Sequence, residues 1–182
     1  MIIGDIDGAV KFLNEGELIG YPTEAVYGLG CDPWNKNSVE KISRLKGRDP
    51  NKPFLMVISS KDQLEELVNV STLKDIVWES WPGHTTWLIK AKDSVPSWLI
   101  DKNTGKVGVR MSEHPVVTEL CNLFMKPLIS TSANISGKPE IKDLLLFKKT
   151  FMSQIKYLVK GDLGNYEKTS IIVDMESEKK IR

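Results

Sequence analysis

Three clusters of polar residues follow short apolar segments of the chain, and each offers groups that bind phosphates, hydroxyls or carboxylates. Ligands of α/β proteins bind at the ends of strands, so chemistry is expected first at these clusters. The earliest lies between Tyr21 and Gly30, where Thr23 and Glu24 place a hydroxyl and a carboxylate beside glycine-containing backbone. Taken alone, the same residues also fit an ordinary turn from a strand to a helix.

The second cluster is cationic. Lys46 and Arg48 flank Gly47, and Lys52 follows nearby. A guanidinium fork and a lysine charge separated by one glycine can converge on a single phosphate. The alternative is a helix C-terminus, because the helix dipole favours lysine and arginine in the last turn.

The third cluster runs from Ser130 to Gly137 and is rich in hydroxyls, with an amide at Asn134. Such groups hold phosphate or ribose oxygens, although serine and asparagine equally stabilise a simple turn. Arg110 ends the segment Val107–Arg110, where strand alternation places it opposite the two valines. On its own, an arginine at the end of a strand is most simply a solvated surface charge.

Several common catalytic motifs are absent from the sequence. There is no P-loop, no complete dinucleotide-binding fingerprint and no G-x-S-x-G nucleophile motif. Cys31, Cys121, His84 and His114 are not spaced as zinc ligands, and His84 is better explained as a loop residue. The sequence therefore disfavours covalent catalysis and a conventional Cys/His metal site.

The composition is that of a globular protein that needs no structural metal or disulfide. The 182 residues, of which 41% are hydrophobic and 27% charged, predict one domain, 1–182. The formal net charge is +1, so a cationic site must be local. The first residues lack the features of a signal peptide, and the longest apolar run, Phe54–Ile58, is far shorter than the ~20 residues of a membrane helix. We therefore expect a soluble, cytoplasmic protein.

The elements that must position the three clusters alternate between strands and helices. Seven short apolar segments predict strands: Leu18–Tyr21, Phe54–Ser59, Thr86–Ala91, Val107–Arg110, Pro127–Thr131, Lys156–Lys160 and Ser170–Asp174. Six segments predict helices: Ile6–Asn14, Ser38–Lys46, Lys61–Asn69, Leu73–Trp81, Pro115–Met125 and a last helix from Asp143 to Phe151. Because no repeat or linker interrupts this alternation, we expect a single α/β domain with a mixed sheet of about seven strands and flanking helices.

The same clusters, taken in order along the chain, resemble the YrdC-like family. The matching motifs are P-T-E at 22–24 with Y-G-L-G at 27–30, K-G-R at 46–48, W-P-G at 81–83 with Thr86, V-R at 109–110, H-P at 114–115 and S-A-N-I-S-G at 132–137. The match spans about residues 5–182. The resemblance implies a twisted, open α/β sheet with a large concave, basic face.

The short, single-domain members of that family are threonylcarbamoyl-AMP synthases. The resemblance therefore implies that L-threonine, bicarbonate (or CO2) and ATP give threonylcarbamoyl-AMP and diphosphate. A partner enzyme then forms threonylcarbamoyladenosine in tRNAs that read codons beginning with A. Such a reaction needs no protein nucleophile, because a carbamate attacks the α-phosphate, and it needs positive charge where negative charge accumulates.

The resemblance also implies individual roles. The residues matched to ATP contacts are Lys46, Arg48, Thr86, Ser132, Asn134 and Arg182. The residues matched to threonine contacts are Thr23, Arg110, Ser130 and Ser170. Lys46 and Arg48 are the implied catalytic pair, since two cations there would stabilise the phosphates and the departing pyrophosphate.

Mg2+ is expected to accompany ATP, but no acidic cluster identifies its ligands, and Glu24 is only a candidate. The implied partners are the proteins that transfer the threonylcarbamoyl group, together with contact to tRNA or double-stranded RNA. The main alternative is a non-catalytic RNA-binding or ribosome-maturation factor, against which the net charge of +1 and the lack of a lysine-rich arm count. A riboflavin-pathway synthase of related fold would need an acidic metal-binding cluster.

Overall fold

A computed structural model describes residues 1–49 and 52–182, in which nine strands form a mixed sheet between helices. The strands are β1 (Ile2–Gly4), β2 (Ile19–Pro22), β3 (Tyr27–Gly30), β4 (Leu55–Ile58), β5 (Thr85–Lys90), β6 (Lys106–Met111), β7 (Leu128–Ser132), β8 (Tyr157–Val159) and β9 (Ile171–Asp174). The α-helices are α1 (Ile6–Asn14), α2 (Lys36–Lys46), α3 (Lys61–Glu65), α4 (Asp75–Glu79), α5 (Pro115–Phe124) and α6 (Leu144–Phe151).

All seven predicted strands are confirmed to within two residues at each end, but the predicted number was too low. The sequence analysis missed β1, which has only three residues, and β3, whose glycines look like part of a turn. Little room is left for side chains at Gly28 and Gly30 of β3. An added Cβ at Gly30 would stand 2.6 Å from the Ile129 carbonyl oxygen and 2.8 Å from the Tyr21 ring, and one at Gly28 would stand 3.1 Å from that ring. Strand β3 pairs antiparallel with β2 to form a hairpin. Thr23 and Glu24 lie in the turn of this hairpin and not in a turn that leads to a helix.

Five of the six predicted helices are confirmed to within two residues at each end. The helix predicted over Lys61–Asn69 is wrong beyond Glu65, because Val68 leaves the helix to form a bridge with Ala91 beside β5. Helix α4 (Asp75–Glu79) begins two residues later and ends two residues earlier than the predicted helix Leu73–Trp81.

The order of the strands in the sheet is β1-β8-β2-β3-β7-β4-β6-β5-β9. Strands β3 and β7 pair antiparallel, and β7 also pairs antiparallel with β4. Strand β4 is parallel to β6, and β6 is antiparallel to β5. This order brings the turn between β2 and β3, the ends of β7 and β6 and the start of β5 into one neighbourhood, although they are far apart along the chain.

Helices α1 and α5 pack on one face of the sheet, where Ile19, Tyr21, Val57 and Leu128 form one apolar core. The other face carries a larger core that includes residues of α2 and α6. Helices α1 and α5 contact strands β2, β8 and β4. On the same face of the sheet, these two helices leave β6 and β5 open. Within residues 1–49 and 52–182, no helix has the length and apolar character needed to cross a membrane.

Candidate active site

A cleft of about 390 Å³ lies on the open part of the sheet. All ten residues selected from the sequence line it: Thr23, Lys46, Arg48, Thr86, Arg110, Ser130, Ser132, Asn134, Ser170 and Arg182. They come from one helix, three strands and five segments outside the helices and strands, spread from the turn after the second strand to Arg182. The fold thus gathers into one cavity residues that the sequence could only group by motif.

Lys46 is the last residue of α2, which Gly47 ends in the left-handed conformation with φ of 59°. Its ammonium donates hydrogen bonds to the Ser132 carbonyl, to the Asn134 carbonyl (2.8 Å) and to Asn134 Oδ1 (2.9 Å). Burial and the nearby charge of Arg48 lower the pKa of Lys46 to about 8. With its three N–H bonds used in this way, Lys46 joins α2 to the loop after β7, and its charge lies at the wall of the cleft.

Arg48 is half-buried and is held by the chain that follows it. Its Nε donates to the Lys52 carbonyl (3.2 Å), its Nη2 donates to the Pro53 carbonyl (3.0 Å), and its guanidinium lies 4.8 Å from the Phe54 ring centroid. Burial and the charge of Arg182 lower the pKa of Arg48, and burial also lowers the pKa of Arg182. Like charges held near each other in a cleft repel, so an anion between them would be stabilised by both.

The loop after β7, residues 132–138, is held together by its own side chains. Ser132 Oγ donates to Asn134 Oδ1 (2.8 Å), and Asn134 Nδ2 donates to the Lys138 carbonyl (2.6 Å). Together with the bond from Lys46, these contacts occupy both polar atoms of the Asn134 side chain. Asn134 therefore stabilises the turn in this structure. The sequence analysis had left two roles open for it, stabilising the turn and contacting a nucleotide directly.

Replacing Asn134 by alanine should weaken both the loop and the end of the cleft that contains Lys46 and Arg48. A lost buried hydrogen-bond partner costs about 1–3 kcal/mol, equivalent to a fall in Tm of roughly 2–10 °C for a protein of this size. We expect Asn134→Ala to lower the affinity for ATP about tenfold in calorimetric titrations and to change the affinity for threonine less. Asn69→Ala is a matched control, because the Asn69 side chain, like that of Asn134, forms a hydrogen bond with the backbone of its own turn, but Asn69 lies outside the cleft. Equal losses for both ligands would restrict Asn134 to a structural role.

Arg110 is not the solvated charge that its place at a strand end suggests, and that simplest interpretation is wrong. The residue is only 7% exposed, and its Nη1 lies 2.5 Å from Glu24 Oε1 in an ion pair. Glu24, itself 3% exposed, also accepts a 2.6 Å hydrogen bond from the Ser112 hydroxyl. Burial alone would raise the pKa of Glu24, but the charge of Arg110 and these hydrogen bonds outweigh it and lower the pKa to about 2. A buried arginine needs such a counter-charge, and the hairpin turn supplies it.

Thr23 begins that hairpin turn and its hydroxyl donates to the Val26 carbonyl at 2.7 Å. The segment 161–169 lies along the turn: Gly164 N–H donates to the Thr23 carbonyl and Tyr166 N–H to the Glu24 carbonyl, both at 3.0 Å. A Cβ on Gly164 would stand 2.7 Å from the Glu24 carbonyl oxygen, so only glycine permits this approach. The segment 161–169 therefore holds in place the turn that carries the Thr23 and Glu24 side chains.

The threonine and serine hydroxyls across the cleft also have partners. Thr86 Oγ1 and Ser170 Oγ lie 2.9 Å apart, which joins β5 to the residue before β9. Arg182 Nη2 donates to the Ser170 carbonyl at 3.0 Å, so the end of the chain returns to the cleft. Ser130 lines the cleft from β7.

The sequence analysis missed several residues of the site. Ser112 follows Arg110 by two positions, so strand alternation could have placed it on the same side. His84 was interpreted only as a loop residue, yet it lines the cleft and stacks on Tyr166 with ring centroids 4.0 Å apart. Glu140 lines the cleft within electrostatic range of Lys46 and Arg182, and no local sequence signal marks it. Among residues 1–49 and 52–182, no group of three or more His, Cys, Asp or Glu side chains could hold a metal ion.

Comparison with known proteins places the chain among relatives of similar length. The model of the Sua5/YciO/YrdC family, described as "Telomere recombination", matches residues 11–182. A threonylcarbamoyl-AMP synthase of Pseudomonas paraeruginosa is 39% identical over 178 residues, covering 96% of this chain and 94% of that protein. A threonylcarbamoyl-AMP synthase of Coxiella burnetii is 37% identical over 171 residues, covering 93% and 91%.

The fold of the chain is also that of a solved structure with an amino acid bound. Sua5 of P. abyssi, crystallised in complex with L-threonine, superposes with a TM-score of 0.87 at 30% identity. The match covers 97% of this chain and 55% of that protein, so the chain corresponds to about half of Sua5. By the family model and by these relatives, the chain belongs to the Sua5/YciO/YrdC family.

Proposed function

We propose that this protein is a threonylcarbamoyl-AMP synthase, which converts L-threonine, bicarbonate or CO2, and ATP into threonylcarbamoyl-AMP and diphosphate. The observation that carries the proposal is that one cleft joins a cationic end to an end built on a buried arginine. The cationic end contains Lys46, Arg48 and Arg182, and the other contains Arg110 and Thr23. A polyphosphate and an amino acid can therefore lie side by side, as the reaction requires. The relatives of 37% and 39% identity, which carry this enzyme's name, support the assignment.

The reaction uses these residues for positioning and charge. The threonine ammonium loses two protons to solvent as its nitrogen forms a bond to the carbon of CO2, and an oxygen of the resulting carbamate attacks the α-phosphorus of ATP. The bond from the α-phosphorus to the bridging oxygen breaks, and diphosphate leaves with its electron pair. Arg48 and Arg182 would stabilise the charge on the departing diphosphate, whereas Lys46 would act mainly by holding the loop at Ser132 and Asn134 in place.

The amino acid would lie at the other end of the cleft. Arg110 would hold its carboxylate, since a guanidinium is well matched to a carboxylate. The Thr23 hydroxyl already donates a hydrogen bond to the Val26 carbonyl, so it would accept a hydrogen bond from the hydroxyl of threonine. Ser130, Ser170 and Thr86 complete the wall between the two ends.

Mg2+ would enter as part of the ATP substrate. Glu140 is the carboxylate at the cationic end of the cleft, and one carboxylate together with phosphate oxygens is a usual Mg2+ environment. The product would pass to proteins that transfer the threonylcarbamoyl group to tRNA, and the cleft itself would need no direct contact with RNA.

The proposal is tested by following pyrophosphate release with each substrate omitted in turn. Release should need L-threonine, bicarbonate and ATP together, and omission of any one should reduce it to the background rate. Release that continues without threonine would indicate simple ATP hydrolysis and would contradict the proposal. Salt-dependent RNA binding without any turnover would favour the RNA-binding alternative instead.

A further inference from the structure

Glu24 is a buried carboxylate at the amino-acid end of the cleft, and the proposed reaction assigns it no step. It pairs with Arg110 at 2.5 Å and is fixed by the Ser112 hydroxyl, which in turn accepts a 3.2 Å hydrogen bond from the His114 backbone N–H. The geometry of the ion pair leaves Glu24 Oε2 and Arg110 Nη1 buried without a hydrogen-bond partner within the described residues. Burying this carboxylate costs free energy, which the ion pair with Arg110 and the hydrogen bond from Ser112 offset.

The two ends of the cleft differ in charge. Among the described residues that line the cationic end, Lys46, Arg48 and Arg182 carry three positive charges against the carboxylate of Glu140, and the charge of Asp49 also acts on Arg48. At the amino-acid end, the charge of Arg110 is balanced by Glu24. The cationic end therefore attracts a polyanion, whereas the amino-acid end presents a positive group without a net positive charge.

A pocket that contains an arginine and a carboxylate binds an anion less strongly, relative to a zwitterion, than a pocket that contains an arginine alone. An anion gains attraction from Arg110 but is repelled by Glu24 close behind it. A zwitterion carries both signs, so the repulsion of its carboxylate by Glu24 is offset by the attraction of its ammonium group. This discrimination works through the field of the buried pair, because charges interact strongly across short distances where water is excluded.

We propose that Glu24 determines the specificity of the amino-acid end, by holding Arg110 in place and by making this end select a zwitterionic amino acid over a simple carboxylate anion. The inference rests on the proposed function, in which Arg110 holds the substrate carboxylate. It adds that the amino-acid end of the cleft admits zwitterions and disfavours simple carboxylate anions. It also gives a reason why phosphate groups of ATP settle at the cationic end rather than on Arg110.

The test compares L-threonine with 3-hydroxybutyrate, which keeps the carboxylate and hydroxyl of threonine and lacks its amino group. Dissociation constants are measured by calorimetry for the wild-type protein and for Glu24→Gln. The control is Glu119→Gln, which removes the same charge from an exposed position on α5. Melting temperatures show whether each variant folds.

In Glu24→Gln, 3-hydroxybutyrate should bind at least tenfold more tightly than in wild type, while L-threonine should gain nothing. Glu119→Gln should leave both constants unchanged. Damage to the fold cannot produce a gain in affinity for one ligand, so this result separates specificity from a structural role. Equal changes for both ligands in Glu24→Gln, or unchanged binding of 3-hydroxybutyrate, would overturn the inference.

The wild-type protein supplies a second measurement in case Glu24→Gln does not fold. It should bind 3-hydroxybutyrate at least tenfold more weakly than L-threonine, and equal binding would overturn the inference. A wild-type protein that turns over threonine but fails these comparisons refutes only the role of Glu24. A wild-type protein that neither binds nor uses threonine refutes the proposed function, and this inference with it.

Discussion

L-Valine should be rejected by about 10⁴-fold relative to L-threonine in the specificity constant for pyrophosphate release, and Thr23→Val should narrow that gap. A site that hydrogen-bonds a substrate hydroxyl rejects an analogue without it this strongly, because a buried polar group is left unpaired. The Thr23 hydroxyl already donates to the Val26 carbonyl, which leaves its lone pairs for the threonine hydroxyl. L-Serine, which lacks only a methyl group, should lose just ~10–200-fold.

Thr150→Val is the matched control for this experiment. The Thr150 hydroxyl also donates to a backbone carbonyl, that of Leu146 at 2.8 Å, but it lies on α6 outside the cleft. The control should keep the wild-type ratio of threonine to valine. If Thr23→Val keeps that ratio as well, Thr23 only stabilises its turn, and the substrate hydroxyl is recognised by another residue.

Arg110→Ala should abolish most turnover with threonine, serine and valine alike, because these amino acids share the carboxylate that Arg110 would hold. It should also lower the free energy of unfolding by about 3–5 kcal/mol, since Glu24 would be left as an unpaired buried charge. Pyrophosphate release and urea denaturation measure the two effects. Adding Glu24→Gln to Arg110→Ala should restore much of the stability and none of the activity.

The loss of stability in Arg110→Ala should depend on pH in a defined direction. In wild type the pKa of Glu24 is lowered from its ordinary 4.5 to about 2, so the ion pair contributes its full stability above pH 4.5 and loses it as the pH falls toward 2. The difference in unfolding free energy between wild type and variant should therefore be largest above pH 4.5 and shrink below it. A difference that stays constant down to pH 3 would show that the ion pair is not its cause.

The sequence predicted which residues line the cleft better than it predicted which residues they pair with. The ten residues were found because strand-end motifs stand in a recognisable order, and such motifs are local. The ion pair of Arg110 with Glu24 is a contact between residues 86 positions apart. Nothing local to Val107–Arg110 shows that a hairpin turn on another strand will bury the arginine, so its burial was not predictable from alternation alone.

The missed strand β3 has a related cause. Its glycines are unfavourable in strands by intrinsic preference, and little room is left for side chains at either position beside the Tyr21 ring. The interpretation of the first cluster as a strand-to-helix turn followed from that omission. The role of Asn134 was left open for a different reason, since the same amide can bind a ligand or stabilise its own loop. The hydrogen bonds with Lys46 and Lys138, which show that it stabilises the loop, are contacts that no local motif predicts.

The most direct test of the proposed reaction is the mass of its product when the bicarbonate is labelled with carbon-13. Incubation with L-threonine, ATP and labelled bicarbonate should give an adenylate one mass unit heavier than with unlabelled bicarbonate, with the mass of threonylcarbamoyl-AMP. That result requires the carbamoyl carbon to come from bicarbonate and the bond to AMP to form through it. An unlabelled threonyl-AMP, in which the amino acid carboxylate itself is adenylated, or ADP and phosphate alone, would contradict the account.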